Sequence, residues 1–329
     1  MQRRAMAAQA TEEGSPTTDT TSSYDEAAAI SSASQDTAIT ALVSKLPRRE
    51  GWSQELVLYK NYWINPLFVQ GIMRLQTSFK PRHDDIILTS NPKCGTTWMK
   101  ALAFTITNRS RYEFGNNHPL LSHHPQELVL SMEIHHDTND ELNYLEALPS
   151  PRLLATHMPL SLFPQPSSIA IGGRIVYVCR EPKDTVVSWW HFANKFGGGE
   201  QSTGNLESAI DTFIQGFSPY GPFWEHCLEY RRQSITSSDK ILFLKYEDMM
   251  SDPVKHVIKL AMFLRAPFST KEEEDRVPEE VVRLCSFEKL SGLRANQKGE
   301  TIRTHDVVLD KSAFFRKGVV GDWVNHMSE

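Results

Sequence analysis

Four short runs of apolar residues recur along the chain, and helical patterns follow three of them. The runs occupy residues 84–90, 151–157, 174–180 and 240–248. Their nearly continuous apolar centres predict strands that are covered on both faces, as in a parallel sheet. The helical patterns lie at positions 98–106, 183–196 and 252–264. Strands that alternate with helices predict an α/β fold, a single domain whose central, mostly parallel sheet carries helices on both faces.

Composition adds limits to this picture. With 40% hydrophobic and 23% charged residues in a chain of 329, the protein has a typical globular composition, and its net charge of −5 gives no reason to expect a nucleic-acid partner. Residues 1–40 contain almost no large apolar side chains, so we predict a disordered tail followed by a domain at 41–329. Four widely spaced cysteines suit reduced thiols, and no apolar run approaches the ~18 residues of a membrane span. We therefore expect a cytoplasmic protein without a membrane partner.

The most informative segment joins the first strand to the first helix. It reads ILTSNPKCGTTWMKAL and places Lys93, Gly95 and two threonines where the helix begins. A helix N-terminus offers unpaired N–H groups to an anion, and a glycine allows close approach of the backbone. The alternative interpretation is an ordinary helix start capped by threonine. Lysine precedes the only glycine, so the loop is not the G-x-x-x-x-G-K-[ST] motif of nucleotide-binding P-loops.

Two further segments combine cations with turns. In RIVYVCREPKDTVVSWW, Arg180 follows a strand and Ser188 lies in the next helix, so the two side chains could hold a phosphate. Alternatively, Arg180 pairs with Glu181 or Asp184, and Ser188 is only a helix-surface residue. Asp184 can also cap the helix. In FFRKGVVGDW, Arg316, Lys317 and Gly318 could grip a phosphate, although a solvated charge pair is the usual meaning of such a motif. Ligands bind at the carboxyl ends of strands in α/β sheets, which is where Lys93 and Arg180 are predicted, so the pattern favours an anion site.

Together, the three motifs resemble those of the cytosolic sulfotransferases, especially the plant members. The resemblance extends from about Leu42 to the C-terminus. It implies that the protein is an enzyme, a transferase that sulfonates small molecules in plant specialised metabolism. Such an enzyme transfers the sulfuryl group of 3′-phosphoadenylyl sulfate (PAPS) to a hydroxyl of a phenol, flavonoid, steroid or hydroxylated hormone. NPKCGTTW resembles the family's P-loop-like phosphosulfate-binding loop.

The resemblance also implies a role for individual residues. His157 matches the catalytic base, and Lys93 is placed to meet the charge that grows on the leaving oxygen during in-line displacement. The residues implied to bind the donor are Lys93, Cys94, Gly95, Thr96, Thr97, Trp98, Arg180, Ser188, Tyr246, Arg316, Lys317 and Gly318. No metal is expected, although His118, His123, His124, His135 and His136 cluster in one polar stretch.

Two departures from the family pattern leave alternatives open. Animal relatives often carry lysine at the position of Ala155, and the family usually has lysine at the position of Val324. The sequence also ends at Glu329, before the rest of the family's dimer motif, so we predict a monomer. A catalytically impaired nucleotide-binding relative and a P-loop kinase are the competing hypotheses. The missing G-K-[ST] argues against the kinase.

Overall fold

The computed structural model describes residues 35–133, 139–164, 173–196, 204–304 and 307–327. The chain divides into two compact units, Met1–Ala41 and Leu42–Glu329. Of the predicted tail, residues 1–34 lie outside the described ranges, and helix α1 occupies residues 35–43. The boundary of the predicted tail therefore stays a prediction.

The centre of the second unit is a parallel sheet of five described strands. These are β4 (Ile86–Thr89), β5 (Leu130–Ser131), β6 (Leu153–Thr156), β7 (Arg174–Cys179) and β8 (Ile241–Lys245). Their spatial order is β5-β6-β4-β7-β8, and every pairing is parallel. The four predicted strands are thus confirmed, each somewhat shorter than its apolar run, and the two-residue β5 is an addition that the sequence pattern did not predict.

Helices cover both faces of this sheet. Apart from α1, the described helices are α2 (Pro66–Ser78), α3 (Thr96–Asn108), α4 (Pro125–Leu128), α5 (Asn139–Ala147), α6 (Pro182–Phe196), α7 (Leu206–Ile214), α8 (Phe223–Thr236), α9 (Tyr246–Ser251), α10 (Pro253–Phe263), α11 (Thr270–Glu274), α12 (Val277–Leu284) and α13 (Phe287–Gly292). On one face, apolar residues of α3, α10 and α12 pack on Leu88, Val176 and Val178. On the other face, Tyr230 of α8 stacks on Tyr177 with ring centroids 4.3 Å apart. The predicted α/β class is confirmed.

Two smaller antiparallel sheets complete the described strands. The first contains β1 (Arg48–Gly51), β2 (Gln54–Tyr59) and β3 (Tyr62–Ile64), and the second contains β9 (Thr301–Thr304) and β10 (Val307–Asp310). The described ranges also contain short 3₁₀ helices at Pro119–Leu121, Leu160–Leu162, Arg294–Asn296, Lys311–Phe314 and Asp322–Asn325. Neither small sheet was predicted from the hydrophobic pattern.

The strand order explains where a site can form. The chain leaves β4, adds β5 and β6 on one side of it, and then adds β7 and β8 on the other side. Such a change of direction opens a crevice beyond the carboxyl ends of the strands. The residues that follow β4, β6 and β7 are therefore brought to one edge of the sheet.

Candidate active site

The loop between β4 and α3 has the conformation of an anion-binding turn. Lys93 has φ +70° and Gly95 has φ +105°, and no side chain caps the N-terminus of α3. A Cβ atom on Gly95 would lie 2.9 Å from the ring of Tyr246, so close packing as well as backbone conformation requires glycine there. Thr96 is buried, and its Oγ1 lies 2.6 Å from Ser90 Oγ. The uncapped amide groups and the positive end of the helix dipole are thus available to an anion.

Lys93 points its ammonium group into a cationic and aromatic environment. Its Nζ lies 3.7 Å from the ring centroid of Phe192 and 5.9 Å from that of Phe314. Burial, with the charges of Arg180, Lys195 and Arg316, lowers the pKa of Lys93 to about 7. A cation held among other cations in this way is stabilised when a negative ligand binds beside it.

Arg180 follows the end of β7 and is held by its neighbours. Its guanidinium donates to the main-chain oxygens of Val319 (2.9 Å) and Lys93 (3.4 Å), and lies 3.5 Å from the carboxylate of Asp184. The guanidinium also stands over the ring of Tyr246, at 4.7 Å. Its Nε is buried and has no hydrogen-bond partner among the described residues. The pairing with Asp184 is therefore real, but it leaves a buried donor for another acceptor.

The C-terminal loop is attached to α6 through Asp184. The carboxylate of Asp184 accepts the N–H groups of Gly321 (2.7 Å) and Trp323 (2.9 Å), so Asp184 does not act as the helix cap that the sequence suggested. Arg316 forms an ion pair with Asp322, yet its buried Nε also lacks a partner in the part of the chain that the structure describes. Gly318, the last residue of the predicted set, has φ +64°, which favours glycine.

The imidazole of His157 is fixed in one tautomer. Its Nδ1 lies 2.8 Å from the main-chain oxygen of Ser90. A carbonyl oxygen only accepts hydrogen bonds, so Nδ1 carries the proton and Nε2 carries the lone pair. Burial lowers the pKa of His157 to about 4, opposed by the Ser90 carbonyl and reinforced by Lys100 and Lys93. The side chain is therefore a neutral imidazole near pH 7.

A buried carboxylate that the sequence analysis missed holds the end of β6. Glu133 is fully buried and accepts the main-chain N–H of His157 (2.7 Å), the Thr156 hydroxyl (2.7 Å) and the Tyr220 hydroxyl (3.1 Å). The ring of Tyr220 lies 5.5 Å from that of His157. An acidic residue within the apolar run LVLSMEI was the available signal, because a carboxylate is rarely buried without several donors.

These elements surround one cavity of about 550 Å³. Every predicted donor or catalytic residue lines this cavity except Cys94, whose side chain is fully buried and whose Sγ lies 3.7 Å from Thr185 Oγ1. Trp98 and Tyr246 meet edge to face, with centroids 5.6 Å apart, between the loop and α9. Its lining combines two sets of residues. The first contains the cations of the three motifs, which we call the cationic end, and the second contains apolar side chains, which we call the apolar end: Trp52, Leu67, Phe68, Pro219, Tyr220, Ile302 and Leu309.

Comparison with known proteins identifies the family. Residues 83–329 match the family model described as the sulfotransferase domain. The chain belongs to the sulfotransferase family. It is 41% identical to cytosolic sulfotransferase 17 of Arabidopsis thaliana over 87% of this chain and 83% of that protein, and 38% identical to cytosolic sulfotransferase 15 over 87% and 80%. The predicted family and enzyme class, a sulfotransferase, are confirmed, and the relatives' plant origin agrees with the resemblance.

Solved structures show the same fold. A crystal structure of an Arabidopsis thaliana sulphotransferase is 37% identical and has a TM-score of 0.65, covering 77% of this chain and 85% of that chain. Mouse sulfotransferase SULT7A1, solved with PAP, has a TM-score of 0.64 at 24% identity, covering 83% and 88%. At that identity, the second match supports the fold alone.

Two findings concern a membrane span and a metal site, both of which the sequence analysis considered. Within the described residues, no helix of this chain is long and apolar enough to cross a membrane. The same part of the chain contains no group of three or more His, Cys, Asp or Glu side chains arranged to hold a metal ion. Of the clustered histidines, His135 and His136 lie outside the described ranges, whereas His118 and His124 accept main-chain N–H groups at short helix starts.

Proposed function

We propose that this sulfotransferase transfers the sulfuryl group of PAPS to a hydroxyl of a small, largely apolar acceptor, with His157 as the base. The acceptor classes are a phenol, flavonoid, steroid or hydroxylated hormone. The observation that carries the proposal is that one cavity is lined both by the cations of the three motifs and by many apolar side chains. His157 contributes to the wall of the same cavity.

The cationic end suits a donor with two anionic groups. Lys93 and the amide groups at the start of α3 would hold the phosphosulfate, next to Thr97. Arg180, Ser188 and the Arg316–Gly318 segment would hold the 3′-phosphate. The buried, unpartnered Nε atoms of Arg180 and Arg316 support this assignment, because a buried donor without an acceptor is unfavourable. Trp98 and Tyr246 would lie against the adenine.

The chemistry that the donor supplies is an activated sulfuryl group. His157 Nε2, with its lone pair, would accept the proton of the acceptor hydroxyl as the new S–O bond forms. The ammonium of Lys93 would neutralise the charge that develops on the departing phosphate oxygen. The Ser90 carbonyl keeps the imidazole in the required tautomer, and Glu133 holds the main chain on which it sits. No residue of the chain needs to form a covalent intermediate.

The apolar end would bind the body of the acceptor. Phe68 and Tyr220 stack with centroids 6.3 Å apart and a 19° interplanar angle, which provides a flat wall for a ring system. Aromatic and aliphatic side chains stabilise apolar ligands, and only the reacting hydroxyl requires a polar partner. We therefore propose a ring-containing acceptor.

Relatives support the remaining assignments. Two solved structures with the same fold contain PAP, the desulfated product of PAPS, and the two plant relatives named above are called cytosolic. PAPS as co-substrate and a cytoplasmic location are proposed on that basis. The monomeric state stays a prediction. Val324, at the family's lysine position, is 59% exposed and offers no ion pair to a second copy.

One assay tests the function. The purified chain is incubated with PAPS labelled with ³⁵S, in parallel with γ-labelled ATP, and with a panel of phenols, flavonoids and hydroxysteroids. We expect label transfer from PAPS to at least one acceptor and none from ATP. Binding of PAP without any transfer across the panel would instead favour the catalytically impaired relative.

A further inference from the structure

A buried lysine lies directly behind the wall of the large cavity. Lys100 is in α3, one turn after Thr97, and is only 1% exposed. Its ammonium group donates to Gln126 Oε1 and to Ser131 Oγ, the latter at 2.9 Å. Thr97, Gln126 and Ser131 line the cavity, whereas Lys100 does not. The lysine can therefore act on a bound ligand through these neighbours without touching it.

The positive charge of Lys100 has no counterion among the described residues. Both of its hydrogen-bond partners are neutral, and no carboxylate in the described ranges lies within ion-pair distance of it. Burial lowers the pKa of Lys100 to about 7, and the charge of Glu133 opposes this shift. A buried cation that is held by neutral oxygens becomes more stable when a negative group binds nearby.

The ammonium group also fixes the direction of the hydrogen bonds around it. An ammonium only donates, so the oxygen of the Gln126 amide faces Lys100, and Nε2 of the same amide donates to Thr97 Oγ1 at 3.3 Å. The hydroxyl oxygens of Thr97 and Ser131 thus both act as acceptors. Neither hydroxyl has a further hydrogen bond in the described part of the chain. The O–H group of each is therefore free to donate into the cavity that both residues line.

The two hydroxyls belong to the two parts of the site that a transferred group must connect. Thr97 is in the first turn of α3, beside the uncapped amide groups of the anion-binding loop. Ser131 ends β5, and its register partner on β6 is Ala155, two residues before His157. In the function proposed above, the sulfuryl group leaves a donor at the first place and reaches an acceptor hydroxyl at the second.

We propose that Lys100 is a positioning residue for sulfuryl transfer, which directs the hydroxyls of Thr97 and Ser131 toward the oxygen atoms of the sulfuryl group. It acts on Thr97 through Gln126 and on Ser131 directly. The sulfuryl oxygens carry negative charge, and hydroxyl donors that are oriented in advance stabilise such charge. A cation at the start of each chain also polarises the O–H group at its end, which makes that group a stronger donor. The inference rests on the proposed function.

A comparison of PAPS with PAP tests this role without any turnover, because PAP lacks the sulfuryl group. Lys100→Met keeps the length of the side chain and removes its donors. In this variant the Kd for PAPS, measured by calorimetry without an acceptor, should rise about fivefold, since a charge-assisted set of hydrogen bonds is weakened. The Kd for PAP should change less than about twofold. An equal rise in both values would indicate a structural role, and an unchanged Kd for PAPS would overturn the proposal as well.

Paired variants of Ser131 keep the test decisive even if Lys100→Met does not fold. Ser131→Ala removes one hydroxyl, so the Kd for PAPS should rise about threefold while that for PAP stays constant. Ser131→Thr keeps a hydroxyl at the same position of the strand and should bind PAPS within about twofold of the original chain. Equal PAPS affinities for the two variants would show that the hydroxyl is not the group that acts.

Thr105→Val controls for the loss of a buried polar group from the same helix. Thr105 is fully buried against Cys285 and does not line the cavity. This variant should keep both Kd values and kcat, whereas Lys100→Met should lower kcat about tenfold with little change in the KM for the acceptor. The same loss of kcat in both variants would contradict a specific role for Lys100.

The original chain separates failure of this inference from failure of the proposed function. If it binds neither PAPS nor PAP, the proposed function is wrong, and the inference falls with it. If it binds both nucleotides and Lys100→Met does not distinguish between them, the proposed function stands and only the role of Lys100 is wrong.

Discussion

The two ends of the large cavity are built in different ways. The cationic end comes from turns that directly continue strands β4 and β7, together with one loop that Asp184 attaches to α6. The apolar end comes from side chains of the β1–β2 turn, α2, the 219–220 turn and the β9–β10 hairpin, which are far apart in the sequence. Main-chain geometry of the sheet fixes the first end, whereas packing between separate segments fixes the second. The donor site is therefore expected to be common to the fold, and the acceptor site particular to this chain.

The largest expected effect on turnover comes from replacing His157, the proposed base. His157→Ala should lower kcat by about 10²–10⁴-fold, because the variant lacks the proposed base. The Kd for PAP, measured by calorimetry, should change less than about twofold. His123→Ala, at an exposed histidine outside the cavity, is the control and should retain activity. Substantial turnover in His157→Ala would remove the proposed base.

Within the cationic end, Lys93→Ala should affect kcat more than donor binding. Its contact with the leaving oxygen strengthens as charge develops, so a loss of about 10²–10³-fold in kcat is expected. Steady-state kinetics with varied PAPS separate kcat from KM. Lys195→Ala, a nearby exposed lysine, should change kcat less than about threefold. An equal loss of kcat in both variants would mean that the total positive charge near the site, rather than the position of Lys93, determines the rate.

Arg180→Ala should show the opposite pattern, with weaker donor binding and little change in kcat. The 3′-phosphate keeps its charge during the reaction, and hydrogen bonds to a charged group contribute about 1.5–3 kcal/mol, so the Kd for PAP should rise about 10–100-fold. Arg174→Ala, at the other end of the same strand, is the matched control. If Arg180→Ala and Lys93→Ala give the same pattern of kcat and KM, the division of roles is wrong.

A pH profile sharpens the same division. The pKa of Lys93 is lowered to about 7 and that of His157 to about 4. Above pH 7 the ammonium loses its proton, so kcat/KM for PAPS should fall about tenfold per pH unit, whereas it should stay flat between pH 5 and 6.5 because the imidazole is already neutral. Lys93→Arg should move the alkaline limit upward, since arginine stays charged. An acid limb near pH 6.5 would contradict the buried, neutral imidazole.

The smallest expected effect belongs to the apolar end. Phe68→Leu removes a stacking wall at a cost of about 1 kcal/mol, so the KM for a ring-containing acceptor should rise about fivefold while the KM for PAPS stays constant. Phe163→Leu, at a buried ring that does not line the cavity, should leave both values unchanged. A change in the KM for PAPS would show that the two ends are not independent.

The sequence was informative where structure is local. Near-continuous apolar runs predicted β4, β6, β7 and β8. Because parallel strands end at the same edge of a sheet, the sequence also predicted that Lys93 and Arg180, which follow two of these strands, lie near that edge. Residues whose role depends on distant neighbours could not be predicted in this way. Glu133 is significant only because Thr156, His157 and Tyr220 converge on it, and the side chain of Cys94 turns toward Thr185 although its neighbours line the cavity. The antiparallel strands β1–β3 were not predicted, because β1 (RREG) contains no apolar residue and the apolar runs of β2 (LVLY) and β3 (YWI) are too short to distinguish a strand from a buried loop or helix segment.

Because Asp184 attaches the C-terminal loop to α6, closure of that loop is expected to be coupled to nucleotide binding. Two hydrogen bonds, which span 137 and 139 residues of sequence, hold it closed. Opening them would expose the Arg316 region and remove one side of the proposed donor site. If the nucleotide binds as proposed, a bound nucleotide and a closed loop stabilise each other by equal amounts in both directions. Saturating PAP should slow hydrogen exchange at the Gly321 and Trp323 amides, and Asp184→Asn should both speed that exchange and weaken PAP.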